Sequence, residues 1–218
     1  MNAIKFFKVD FARNRVQFIY LLAFAILAFA LSLNMSSPYF GLLYVVFGGI
    51  IFSTVPFTQD QMAEIGFINM LPGTVNSRVV GRYLVAVFMI IFGTVLGSGI
   101  MIAYTFIKEE KIEYALEFII GTAGVGIFVC SLQYIVFYLI GKIRSVQGMS
   151  IVRMIPGFVM FFGSNLVLGW MEESSGEQID WILSHTTLIA FSILVAGAML
   201  CLLGIFLSRK IVERRDLS

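Results

Sequence analysis

The sequence predicts an all-α protein that crosses a lipid bilayer six times, and three observations carry that expectation. Of its 218 residues, 59% are hydrophobic and only 13% are charged, about half the charged share of an average soluble domain. The charges are clustered, leaving long uncharged runs, and about 20 apolar helical residues span a hydrocarbon core near 30 Å. Lys and Arg, finally, fall almost entirely in alternate connections between those runs. With 22 Phe and 11 Met, the chain holds more apolar surface than its own core accepts, and the surplus faces lipid.

The N-terminal arm comes first. Ile4, Phe7 and Phe11 fall on one face of a helix with Lys5 and Lys8 to one side, although Phe6 breaks the separation. This reads as an interfacial helix on the inner leaflet, where buried rings and basic residues near lipid phosphates reinforce each other. The plainer alternative is a cytoplasmic extension of the first span. The expected spans are Phe18–Leu33, Tyr39–Phe57, Leu84–Ile107, Ala115–Ile140, Ile155–Trp170 and Thr187–Ser208. The arm, the first run and Ala28-Phe29-Ala30 also have the parts of a signal peptide. The length of the arm and the even span count favour a retained helix. Gly41, Gly48, Gly49, Gly93, Gly97 and Gly99 in the second and third spans mark close helix packing. All 218 residues read as one transmembrane domain.

Orientation follows from the basic residues. An even number of spans with a cytoplasmic start places Lys5, Lys8, Arg13, Arg15, Arg78, Arg82, Lys142, Arg144, Arg153, Arg209, Lys210, Arg214 and Arg215 inside. Only Lys108 and Lys111 remain outside, beside Glu109, Glu110, Glu113 and Glu117. The last outer loop holds Glu172, Glu173, Glu177 and Asp180 with no basic residue. The positive-inside rule therefore expects both termini in the cytoplasm.

The inner connection from Thr58 to Val80 is longer than neighbouring helices need. Met62, Ile65, Ile68 and Leu71 recur every three residues beside polar Asp60, Gln61 and Glu64, and Pro72-Gly73 ends the run. A surface helix is expected there. A further helix is expected to begin after Asn76 or Ser77, pass Arg78 and Gly81, and enter the third span. Phe67, Met70 and the arginines suit either membrane contact or docking of a cytoplasmic partner.

Chemistry in the chain is sparse. A phosphate-binding loop is missing, since Gly141-Lys142 lacks the earlier Gly and is followed by Ile143. No Asp, Glu, Lys or Arg falls in the middle of a span, which removes the usual relay of an ion-coupled carrier. One His with Cys130 and Cys201 makes no recognisable zinc set, and both Cys read as small buried hydrophobes. Ser164 with His185 is the one nucleophile–base pairing to weigh, and a packing Ser with a solvated His is the stronger reading. No catalytic, cofactor or metal residue is expected. A net charge of +2 gives no argument for nucleic acid.

Three stretches carry a resemblance: Phe6 to Phe11, Leu71-Pro72 through Arg78, Val79-Val80 and Arg82-Tyr83-Leu84, and the basic tail Ser208 to Asp216. In order and position they resemble the permease subunit of an ABC transporter of the ABC-2 type, in its compact bacterial six-helix branch, which includes peptide exporters and bacteriocin-immunity permeases. Gln59-Asp60-Gln61 and the separate Glu64 depart from the acidic pair that relatives often carry early in this loop. The resemblance implies a bacterial cell-membrane subunit that pairs with a second permease copy or paralogue and with two separate ATPase subunits. ATP and Mg bind in those partners. It also implies coupling to the ATPase through Glu64, Phe67, Met70, Leu71, Arg78 and Arg82. A pathway along Met89, Met101, Met160, Phe161 and Phe162 would suit an amphipathic or hydrophobic substrate, a peptide before a lipid or drug. The competing class is a non-transporting membrane protein that binds, senses or confers immunity.

Overall fold

The structure is a computed structural model, and it describes residues 2–57, 72–109, 111–140, 152–157 and 176–216. Regular structure among the described residues is entirely helical: α1 Ala3–Arg13, α2 Arg15–Asn34, α3 Pro38–Ser53, α4 Val75–Lys108, α5 Ala115–Ile140, α6 Gly176–Ser184 and α7 Thr186–Asp216. Residues 152–157 add a short helical stretch. Among the described residues five helices are long and apolar enough to cross a membrane: Arg15–Asn34, Pro38–Phe57, Val75–Lys108, Ala115–Ile140 and Thr186–Arg214. The expected span Ile155–Trp170 lies outside the described residues from 158 onward.

Local chemistry sets the helix ends. Asn2 caps α1, its side chain accepting from the Lys5 amide at 3.1 Å. Asn14 closes α1, its Nδ2 donating to the Asp10 carbonyl at 2.8 Å, and α2 begins one residue later. Thr74 caps α4 by accepting from the Ser77 amide at 3.2 Å, directly after Pro72-Gly73. The helix expected to enter the third span through Arg78 and Gly81 is therefore continuous with it. At the far end of α4, Glu109 takes a left-handed conformation at φ 57° and stops the helix.

Four helices, α3, α4, α5 and α7, share one core around Leu42, Ile90, Val129, Tyr134 and Cys201. A second core joins α2 to α3 and α4 through Leu21, Ala28, Val45 and Met89. Outward faces are apolar, as with Ile26 on α2 and Leu188, Val195, Met199 and Leu202 on α7, all more than half exposed. That pattern suits lipid and not water. Thr94, Ser98, Thr105 and Ser131 within the spans donate to carbonyls four residues back, which satisfies their hydroxyls.

Side-chain contacts identify the two ends of the bundle. At one, Phe57 beyond α3 stacks on Phe137 of α5 with centroids 5.0 Å apart, and Tyr83 of α4 meets Ser208 of α7 at 3.1 Å. Among the described residues this basic end carries Arg13, Arg15, Arg78, Arg82, Arg209 and Lys210. At the other, Tyr39 donates to the Glu113 carbonyl at 2.7 Å and Thr187 to Glu117 at 3.0 Å. Lys108 and Lys111 belong to this acidic end.

One expectation needs correction. The apolar face of α1 runs differently from Ile4, Phe7 and Phe11. Phe6 is fully buried and Ile4 is 59% exposed, because α1 lies on α4 at Gly81, where a methyl group would come within 2.7 Å of the Phe6 Cβ. The residue that broke the amphipathic pattern in sequence is the one that docks the helix.

Candidate functional site

Helix α1 reaches α4 with one charge on its buried face. Asp10 is fully buried, and its Oδ2 lies 3.7 Å from Nε of Arg82, itself 8% exposed. That separation makes an ion pair but is too long for a hydrogen bond. Among the described residues neither oxygen of Asp10 accepts a hydrogen bond. Burial pushes its carboxyl above the ordinary carboxylate range, while Arg82 and, more weakly, Arg13 pull it down.

The same guanidinium serves two further elements. It sits over the Phe57 ring, 4.6 Å from the centroid, and lies near the hydroxyl of Tyr138 on α5. Phe57 lies edge-on to Tyr134 at 4.8 Å and to Tyr138 at 5.2 Å. Tyr134 donates to the Ser53 carbonyl at 2.6 Å, which holds the last turn of α3 against α5. It also packs on Tyr83 at 5.1 Å, whose hydroxyl meets Ser208 on α7. Gln133 of α5 donates to the Val152 carbonyl at 3.0 Å and so ties in the stretch 152–157.

A second aromatic cluster lies beside the first. Phe11 of α1 packs on Phe18 of α2 at 4.7 Å and on Phe88 of α4 at 5.4 Å, and Phe7 meets Phe88 at 6.0 Å. The basic end is thus a continuous joint of rings and one buried charge pair linking α1, α3, α4, α5 and α7. Phe57, the last described residue before 58–71, and Phe137 and Tyr138, near the end of α5, lie at this joint.

Of the residues singled out by sequence, Arg78 and Arg82 lie at this joint; Arg78 Nη2 donates to the Gly73 carbonyl at 3.3 Å. Glu64, Phe67, Met70 and Leu71 lie outside the described residues, as do Met160, Phe161 and Phe162. Met89 and Met101 are 0% and 2% exposed inside the helix packing, in two different clusters, and are not brought together. Ser164 is also outside the described residues. His185 is engaged locally, with Nδ1 2.9 Å from the Ser184 hydroxyl and its ring stacked on Trp181 at 4.6 Å. Sequence reasoning missed Asp10, Phe57, Tyr134 and Tyr138. Asp10 carried one signal, as the lone acid on an arm otherwise basic and apolar.

The arrangement joins five helices through ring packing and a buried ion pair. Among the described residues no group of His, Cys, Asp and Glu is placed to hold a metal ion. A family model described as ABC-2 family transporter protein matches residues 6–213, almost the whole chain. No curated protein and no solved structure matches it.

Proposed function

We propose that this chain, which belongs to the ABC-2 family of transporter proteins, is the membrane-spanning subunit of an ATP-driven exporter whose energy comes from separate ATPase chains. The observation that carries the reading is the joint at Arg82. Phe57, just before residues 58–71, packs against Arg82, and the helix that follows them, capped at Thr74, carries Arg82 itself, so a partner pressing on that segment would displace α3, α4 and α5 together. The lack of a phosphate-binding loop and of a charge in mid-span fits energy delivered mechanically from outside the chain.

The fuller reading has two ATPases, a second permease copy or paralogue, and six spans with both termini in the cytoplasm of a bacterial cell. The sixth span is Ile155–Trp170. Support comes from its flanks. Residues 152–157 are tied to Gln133 toward the basic end, and α6 runs into α7 at the acidic end. Residues 158–175 between them reach about 27 Å as a helix, enough to cross. Exposed Lys5 and Lys8 on α1 suit the headgroups of an anionic inner leaflet, in keeping with an interfacial helix. An amphipathic peptide is the proposed substrate. Its pathway would run through Met89 and Met101 only after their helices separate, with Met160, Phe161 and Phe162 completing it.

Co-purification tests the reading. The chain alone, reconstituted in vesicles, is expected neither to hydrolyse ATP nor to move substrate down a proton gradient. With its ATPase it should hydrolyse ATP and move substrate without a proton gradient, and Phe67→Ala should weaken that association about thirtyfold while insertion stays intact. Gradient-driven transport by the pure chain would assign it to another class. Stimulation of the complex by lipids or hydrophobic drugs, with none by cationic amphipathic peptides, would remove the peptide assignment.

A further inference from the structure

Helix α1 is separated from α2 by one non-helical residue, Asn14, with φ −96° and ψ 8°. Beyond that residue α1 is held by its face on α4: Phe6 against Gly81, Phe7 and Phe11 against Phe88, and Asp10 beside Arg82. Three acceptor atoms on that face, both oxygens of Asp10 and Oδ1 of Asn14, are buried without a hydrogen bond among the described residues. Orphaned buried acceptors are rare in packed structure, and a native contact that retains them is held below its attainable strength. A carboxylate so placed opposes docking, and the cation across the interface offsets the opposition.

We propose that α1 is a reversible latch on α4, hinged at Asn14, in which buried Asp10 weakens the closed state and Arg82 keeps it from opening outright. Opening α1 takes the carboxylate away from Arg82, and Arg82 also sits on Phe57, whose ring packs on Phe137 and Tyr138 of α5. The latch therefore governs how firmly the end of α3, the start of α4 and the end of α5 are bound to one another. Arg82 acts as a positioning residue. This role rests on the exporter reading, but the latch itself can be measured without it.

The inference makes an asymmetric prediction that a simple adhesive salt bridge does not. Removing the cation should open the helix, because it strands a buried carboxylate. Neutralising the carboxylate should close it further. Rates of amide hydrogen exchange for residues 4–13 of the full chain in lipid discs report opening directly. Arg82→Met is expected to raise them by about a hundredfold, with the interior of α5 unaffected. Asp10→Asn should lower them at least about threefold, and the double variant should return to near the wild-type rate. Asp10→Asn opening α1 as Arg82→Met does would overturn the latch, and so would wild-type α1 exchanging as slowly as the interior of α5. Should Arg82→Met fail to fold, Asp10→Asn decides alone. In the complex with its ATPase, Asp10→Asn should slow substrate-stimulated turnover. Unchanged turnover with a tightened α1 would remove the latch from the transport cycle. Failure to recover any ATPase would count against the exporter reading and leave the exchange result standing.

Discussion

At Arg82, one guanidinium answers to a carboxylate, an aromatic face and a phenol on three different helical segments. Arg suits that position because its planar, permanent charge can stack on a ring while facing a carboxylate. Phe57, just beyond α3, is its flat partner. Phe57→Leu keeps apolar volume but loses the cation–π contact and three ring pairs. It is expected to lower stability by about 2 kcal/mol, read as a drop in the thermal midpoint of the detergent-solubilised protein. Asp10 gives a pH dependence whose sign is fixed by its surroundings. Burial raises its carboxyl when α1 is docked, in spite of Arg82 and then Arg13, so the docked state binds a proton more tightly than the undocked one. Docking therefore strengthens as pH falls through the raised value toward 3.8, and that gain is lost as pH rises through it. Tyr138 also lies near this pair. A fluorophore at Lys5→Cys, in a chain freed of its native cysteines, should report a more immobile α1 on acidification. Asp10→Asn should abolish the change, and an α1 that loosens as pH falls would show that the sign is wrong.

Between elements, glycine sets the distance. A methyl group at Gly197 of α7 would stand 2.5 Å from the Gly124 carbonyl oxygen of α5, and one at Gly124 would meet the Leu194 backbone at 2.7 Å. In lipid the association of spans depends on packing at such small residues. Gly197→Val and Gly124→Val are each expected to cost at least about 2 kcal/mol, seen as loss of a monodisperse folded peak in mild detergent. Gly99 on α4 has nothing within 4 Å, so Gly99→Ala should be neutral or slightly stabilising in the same assay. Sequence reasoning named Gly99 as a packing glycine and passed over Gly124 and Gly197, since hydropathy records a run and not which side of it meets a neighbour. Ala115–Ile140 was legible to the residue because charge and turn residues bound it on both sides. The start of α4 was only half legible: Arg78 and Arg82 interrupt the apolar run, yet Thr74 caps the helix well before Leu84. Phe6 and Asp10 escaped for a related reason. An amphipathic pattern assumes that one face meets lipid, whereas α1 docks on a protein helix where Gly81 leaves room. The pairing of Asp10 with Arg82 depends on that register, which no local pattern encodes.

For the whole molecule, the two ends differ in charge in a way that the packing makes concrete. Every described helix terminus on the side of the Arg82 joint lies near arginine or lysine, from Arg13 and Arg15 to Arg209 and Lys210. The opposite termini carry Glu109, Glu113, Glu117 and Asp180, with Lys108 and Lys111 the basic residues among them. The positive-inside rule counts Lys and Arg in short flanks, and the orientation proposed above would put the Arg82 joint in the cytoplasm. That side is also where an ATPase would find residues 58–71, which makes orientation a condition of the exporter reading. Single cysteines test it once Cys130 and Cys201, both buried, have been replaced. Glu109 and Asp180 are exposed at the acidic end, and Arg214 is exposed at the basic end of α7. Ser208 would be a poor reporter, because it is fully buried against Tyr83 and would resist labelling on either side. In intact cells a membrane-impermeant maleimide should modify Glu109→Cys and Asp180→Cys and leave Arg214→Cys untouched until the membrane is permeabilised. Labelling of Arg214→Cys in intact cells, with the other two protected, would turn the protein over and put residues 58–71 out of reach of any cytoplasmic ATPase. Labelling of Glu109→Cys and Arg214→Cys together, with Asp180→Cys protected, would instead indicate that residues 141–175 do not cross the membrane. In that case five spans, not six, would separate the N-terminal arm from the tail.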